Sequence, residues 1–223
     1  MSSNGSSKGA AIRARLNHPV IDSDGHWVEF GPQVADYLKR VGGAKAVEGF
    51  KSRPTEDWHL TIPLKERRDR RLDQPVWWGL PAKNTLDHAT SMLPKLLYER
   101  LDDFGFDFVV LYPSMGLRVP FIADAELRQV TCRAFNTFSA DCFREYQDRL
   151  TPTAVIPMHT PHEAIDELEY VVRTLGLKVV MMTSLIRRPI ESSNPIRATT
   201  NGSTCWRSTA NTIMTRCGRN ASN

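Results

Sequence analysis

The run Pro152-Thr153-Ala154-Val155-Ile156-Pro157, followed by Thr160-Pro161-His162-Glu163 and then Leu177-Lys178-Val179-Val180-Met181-Met182, decides how this chain is read. The two apolar runs are nearly continuous and β-branched, as expected of parallel strands covered on both faces. Between them, Thr160 to Glu163 has the form of a capping box with proline at the first helical position. Ala164, Leu168, Val171 and Leu175 then recur along one helical face, and Gly176 stands where a C-terminal cap belongs. Strand, helix and strand at this spacing make a βαβ unit.

Towards the N-terminus the pattern repeats. Phe106-Asp107-Phe108-Val109-Val110-Leu111-Tyr112 reads as another buried strand, and a helix is expected over about residues 123–148. Asp124 is its N-cap, and Leu127, Val130, Ala134 and Phe138 share one face. A first strand is expected at Pro19-Val20-Ile21-Asp22-Ser23-Asp24. The segment separating it from the second, residues 25–105, is far longer than a crossover needs and holds Trp58, Trp77 and Trp78. Long insertions after barrel strands commonly cover an active-site mouth. The fold class expected is α/β with a parallel sheet.

Charge and composition exclude some functions. Net charge is +4, but residues 198–223 contain Arg207, Arg216 and Arg219 and no acid. That segment supplies three of the four charges, and the remainder is nearly balanced. The run Lys65-Glu66-Arg67-Arg68-Asp69-Arg70-Arg71 mixes both signs, as a solvated face does. No aromatic-interleaved basic stripe points to nucleic acid, and no apolar stretch approaches the ~20 residues of a membrane span. Residues 1–17 are expected to be a disordered leader. Cys132, Cys142, Cys205 and Cys217 form no CxxC pair, so a reduced, cytoplasmic setting is the expectation.

Chemistry concentrates in Val20-Ile21-Asp22-Ser23-Asp24-Gly25-His26-Trp27-Val28-Glu29. Asp24 and His26 are two apart at a strand end, so their side chains point to one side. A carboxylate and an imidazole converging at a barrel mouth can hold Zn²⁺ or a similar ion at ~2.0–2.2 Å. Taken alone, the pair is a weak signal, since an Asp and a His in a loop are more often structural. Gly25 between them permits close approach of backbone or ligand.

The stretch resembles the opening motif of the amidohydrolase-related (amidohydrolase 2) family that includes aminocarboxymuconate-semialdehyde decarboxylase and the resorcylate decarboxylases. The likeness continues through Arg100-Leu101-Asp102-Asp103-Phe104-Gly105-Phe106-Asp107, from Phe135-Asn136 to Asp148-Arg149-Leu150, and through Ile156-Pro157. Glu167-Leu168 and Leu175-Gly176-Leu177-Lys178 complete it. The resemblance implies an incomplete (β/α)8 TIM-type barrel over residues 18–190, comprising the first four βα units. It also implies that Asp24 and His26 are the first two ligands of one divalent metal ion, zinc first and manganese as the alternative. The activity implied is that of a metal-dependent hydrolase, with non-oxidative decarboxylation as the alternative and an inactive, non-enzymatic truncated product as a further one. A small, carboxylated or aromatic substrate follows, with a homo-oligomer compatible with the full-length form. The family's later ligands and its general-base Asp have no counterpart, so this chain by itself is expected to be inactive. Residues 191–223 are expected to be a disordered or non-native tail, explained by a single-nucleotide deletion after the Arg197 codon.

Other residues are weighed individually. His159 follows the third strand and is a candidate substrate contact. Glu29 and Tyr112 either border the pocket or serve packing. His162, in the first turn of a helix, is expected to be solvated, and His59 and His88 to be structural or exposed. Lys178 stands at the start of its strand, opposite the end where barrel chemistry occurs, which argues against a bridging lysine and for one metal ion. Cys132 and Cys142 are expected in or near the core. No glycine-rich phosphate loop or Gly-x-Ser-x-Gly elbow is present.

Overall fold

The computed structural model describes residues 7–52, 65, 85–183, 185–189 and 201–205. Its centre is a four-stranded, all-parallel sheet in the order β1-β2-β3-β4: β1 Ile21–Trp27, β2 Phe108–Pro113, β3 Leu150–Ile156 and β4 Val179–Met182. This is the α/β architecture expected, with half the strands of a (β/α)8 barrel. The segment between β1 and β2 carries α2 (Gly31–Lys51), α3 (Thr85–Met92) and α4 (Pro94–Phe104), preceded in the chain by α1 (Lys8–Arg13). Helix α5 (Ala125–Phe143) links β2 to β3, and α6 (Pro161–Arg173) links β3 to β4.

Helix α5 is the centre of the packing. Its N-cap is Asp124, whose side chain accepts from the Leu127 amide at 2.7 Å, as the sequence indicates. The expected stripe faces α2 and β1: Trp27 stacks on Phe138 at 5.5 Å and meets Phe143 edge-on at 4.8 Å, while Tyr37 of α2 packs on Phe138 at 5.2 Å. The other side of the helix is buried as well, through Arg128, Cys132 and Asn136. Asn136 uses this position to serve β3: its amide donates to the Val155 carbonyl at 2.9 Å and its oxygen accepts the Val155 N–H at 2.7 Å. These bonds fall beyond Leu111–Pro152, the last registered pair of β2 with β3. They satisfy main-chain groups that would otherwise be buried without partners.

The cap of α6 is half of the expected box. Thr160 Oγ1 accepts from the Glu163 amide at 3.2 Å. The Glu163 carboxylate does not return to Thr160; it forms a two-point ion pair with Arg128 at 2.8 and 2.9 Å. Gly176, at φ +70°, ends this connection in the left-handed region that glycine tolerates. Gly43, at φ +69°, likewise breaks α2 into two helical halves.

Two expectations are corrected. Residues 8–13 are helical, not disordered: Ser7 caps α1, and Arg13 pairs with Asp107 at 2.5 Å. Gly9 sits so close to α4 that a Cβ there would lie 2.5 Å from the Phe104 carbonyl oxygen. Within the tail expected to be disordered or non-native, Asn201–Cys205 form a strand, β6, paired antiparallel with β5 (Leu185–Pro189). Main-chain pairing needs no apolar periodicity, which is why composition gave no sign of it. Trp58, His59, Trp77, Trp78, most of the charged run and residues 206–223 lie outside the described residues. Among the described residues no helix is long and apolar enough to cross a membrane.

Candidate metal-binding site at the end of the first strand

Strand alternation places the candidate ligands. Trp27 is buried against α5, and a Cβ on Gly25 would lie 2.6 Å from Val109 Cγ1, so both positions face the helix side of the sheet. Asp24 and His26 therefore face the other side. Between Asp22 and Gly25 the β1–β2 register shifts, and Asp22 accepts the Asp24 N–H at 3.0 Å. The irregularity lies in the middle of β1, just before Gly25, which allows β2 to approach.

His26 Nε2 lies 3.9 Å from Asp24 Oδ1. Two donors each ~2.1 Å from one ion are at most about 4.2 Å apart, so the pair fits a shared divalent cation. The Asp24 side chain is 89% exposed and free to adjust, whereas His26 is 24% exposed and held. Tyr112, the registered neighbour of His26 on β2, packs its ring 5.8 Å from the imidazole. The structure thus brings together Asp24, His26 and Tyr112. Among the described residues no group of three or more His, Cys, Asp or Glu side chains could hold a metal. Among the described residues the candidate site offers two donors, one fewer than catalytic zinc sites normally use.

The remaining candidates separate. His159 is half-buried in the loop after β3, at the same end of the sheet but two strands from His26. Glu29 is turned towards main-chain amides. It is 2% exposed, and its carboxylate accepts the main-chain amides of Ser114 (3.0 Å), Met115 (2.9 Å) and Gly116 (2.9 Å). Burial pushes its carboxyl up to about 7, against the amide bonds, which favour the charged form. His162 is solvent-exposed and pairs with Asp166 at 2.9 Å, and Lys178 is exposed just before β4, both as expected. Cys132 is fully buried and Cys142 partly so; burial pushes the Cys142 thiol up to about 11 and raises that of Cys132 well above its ordinary value. Neither is an activated nucleophile.

Sequence reasoning missed the amide cradle at Ser114–Gly116. Its one visible signal is Gly116, where a Cβ would lie 2.7 Å from Pro113 and 3.2 Å from Glu29 Oε1. It also missed the buried Arg128–Glu163 and Asn136–Glu167 contacts, because any of these residues reads equally well as helix surface.

Fold and site together define an α/β chain on parallel strands with a carboxylate–histidine pair at the C-terminal end of the first. No family model matches the chain, and no curated protein matches it. Among solved structures it is similar to 2,6-dihydroxybenzoate decarboxylase from Rhizobium, at 19% identity and a TM-score of 0.42, covering 76% of this chain and 40% of that one. It is similar to 5-carboxyvanillate decarboxylase from Novosphingobium aromaticivorans, complexed with manganese and 4-hydroxy-3-methoxy-5-nitrobenzoic acid, at 15% identity and a TM-score of 0.48, covering 82% and 46%. A third is a protein described as amidohydrolase II, at 17% identity and a TM-score of 0.40, covering 72% and 40%. The chain therefore spans less than half the length of each.

Proposed function

We propose that this chain is the N-terminal part of a metal-dependent enzyme of the amidohydrolase type, with Asp24 and His26 as two ligands of one divalent ion. The observation that carries the reading is the Asp24–His26 pair, 3.9 Å apart at the C-terminal end of β1, the end of a parallel barrel at which chemistry is performed. The chemistry such an ion supplies when bound is Lewis-acid activation of water or of a substrate oxygen. His26 supplies the held donor and Asp24 the adjustable one, while the Tyr112 ring packs beside the imidazole. His159 is proposed as a substrate contact from the loop after β3. Hydrolysis is the first reading; decarboxylation of an aromatic acid, the reaction named for two of the solved structures, is the second. Either needs further ligands and a base beyond the two donors here, so this chain alone is proposed to bind metal without turning over.

The test is Mn²⁺ titration of the purified chain, followed by paramagnetic broadening of side-chain resonances. His26 and Tyr112 should broaden first, and Asp24→Ala or His26→Ala should weaken binding about tenfold, as loss of a ligand or its support does. If Mn²⁺ broadens other residues first, or the variants bind as the parent does, the assignment fails.

A further inference from the structure

The loop that follows Tyr112 is held mainly from one side chain. Ser114, Met115 and Gly116 present three consecutive main-chain N–H groups, and all three donate to the single carboxylate of Glu29 at 2.9–3.0 Å. Consecutive amides converging in this way form an anion-binding concavity. The Ser114 hydroxyl is buried and makes no hydrogen bond of its own, so it adds nothing to the anchoring. The Trp27 carbonyl accepts a further bond from the Ser114 N–H at 3.1 Å, which extends the β1–β2 ladder to its last residue. Gly116 is part of the construction: a Cβ would press on Pro113 at 2.7 Å and on the Glu29 carboxylate at 3.2 Å.

Both ends of this bridge lead to the candidate site. Glu29 is three residues after His26, and the cradle begins two residues after Tyr112. His26 and Tyr112 are themselves registered partners with rings 5.8 Å apart. From this arrangement we infer that Glu29 is a positioning residue, which clamps the C-terminal ends of β1 and β2 together through the Ser114–Gly116 amides and so holds the Tyr112 ring against His26. The functional meaning rests on the reading of Asp24 and His26 as metal ligands; the clamp itself does not.

Glu29→Gln keeps the shape and one acceptor oxygen but turns an N–H₂ towards the amides. Gly116→Ala attacks the same clamp from the loop side. In each, amide hydrogen exchange at Ser114–Gly116 should accelerate about tenfold while β3 amides stay within about twofold of the parent. The nuclear Overhauser contacts between His26 and Tyr112 should weaken in parallel. A residue that merely fills the core would loosen the whole sheet together, so uniform acceleration across β1–β3 overturns the inference. So does unchanged exchange at 114–116 with the ring contacts intact. Should one variant fail to fold, the other decides on the same two readouts. Mn²⁺ titration of the parent chain is the separate arm: no broadening of His26 there removes the metal reading and leaves the clamp to stand or fall on exchange.

Discussion

The Arg128–Glu163 pair offers the sharpest test of how the helices are held on this parallel sheet. Arg128 near the start of α5 grips both Glu163 oxygens and also donates to the carbonyls of Ile122 at 2.6 Å and Ala123 at 3.0 Å. The two side chains are 3% and 7% exposed, so neither charge can turn to water. Arg128→Met strips the cation from a buried carboxylate and leaves two carbonyls without that donor. Removing one partner of a buried pair costs about 3–5 kcal/mol. Glu163→Met should fall near the lower end, because Arg128 retains its two carbonyl bonds. The double variant removes both charges at similar volume. Its cost should be only that of the carbonyl bonds, about 1–3 kcal/mol.

The singles therefore sum to far more than the double, and a coupling of several kcal/mol is expected. Urea unfolding of the four proteins, followed by tryptophan fluorescence and far-ultraviolet circular dichroism, measures it. The reasoning is refuted if the double variant equals the sum of the singles within about 0.5 kcal/mol, the additivity expected of independent sites. The pair also bears on the site. It ties the turn at Ile122–Ala123, after β2, to the first turn of α6, just after His159. Loss of the pair should therefore loosen the loops at the C-terminal end of the sheet before it loosens their strands.

Two further outcomes follow from particular contacts. Because burial raises the Glu29 carboxyl to about 7, the folded chain takes up a proton there that the unfolded chain does not, so stability should rise as pH falls from about 7 to about 4.5, by up to about 3 kcal/mol from this group. Glu29→Gln should flatten that slope, and an unchanged slope in urea unfolding across the window would contradict the assignment. Gly42→Ala should destabilise by about 1–3 kcal/mol despite the better helix propensity of alanine, because the new Cβ would overlap Val130 Cγ1 and lie 2.6 Å from Ala46 Cβ. Adding Val130→Ala should recover much of the loss in the same assay.

The strands and the two connecting helices were legible because their signals are periodic and local. Val179 to Met182 and Leu150 to Ile156 announce themselves by β-branched runs, and Asp124 and Thr160 by cap chemistry. Helix α1 was not legible, because nothing in a Ser/Gly-rich leader reveals that Gly9 fits against the end of α4 or that Arg13 will find Asp107, far along the chain. Strand β6 escaped for a related reason. Its partner is a segment whose pairing is carried by main-chain groups that every residue possesses.

The site divides along the same line. Period-two alternation was enough to put Asp24 and His26 on one side, and the structure sets them 3.9 Å apart. Glu29 resisted the same logic because it lies past the strand, where alternation no longer dictates direction. From sequence, a carboxylate three residues beyond a candidate ligand looks like another ligand or a pocket wall. What decides its role is an acceptor count: three amides converge on it, from a loop whose only marker is the glycine that lets them come close. A carboxylate so engaged has little left to offer a substrate and a great deal to offer the geometry of its neighbours. On the proposed reading, Asp24 and His26 hold the ion and Glu29 keeps the neighbouring ring in place.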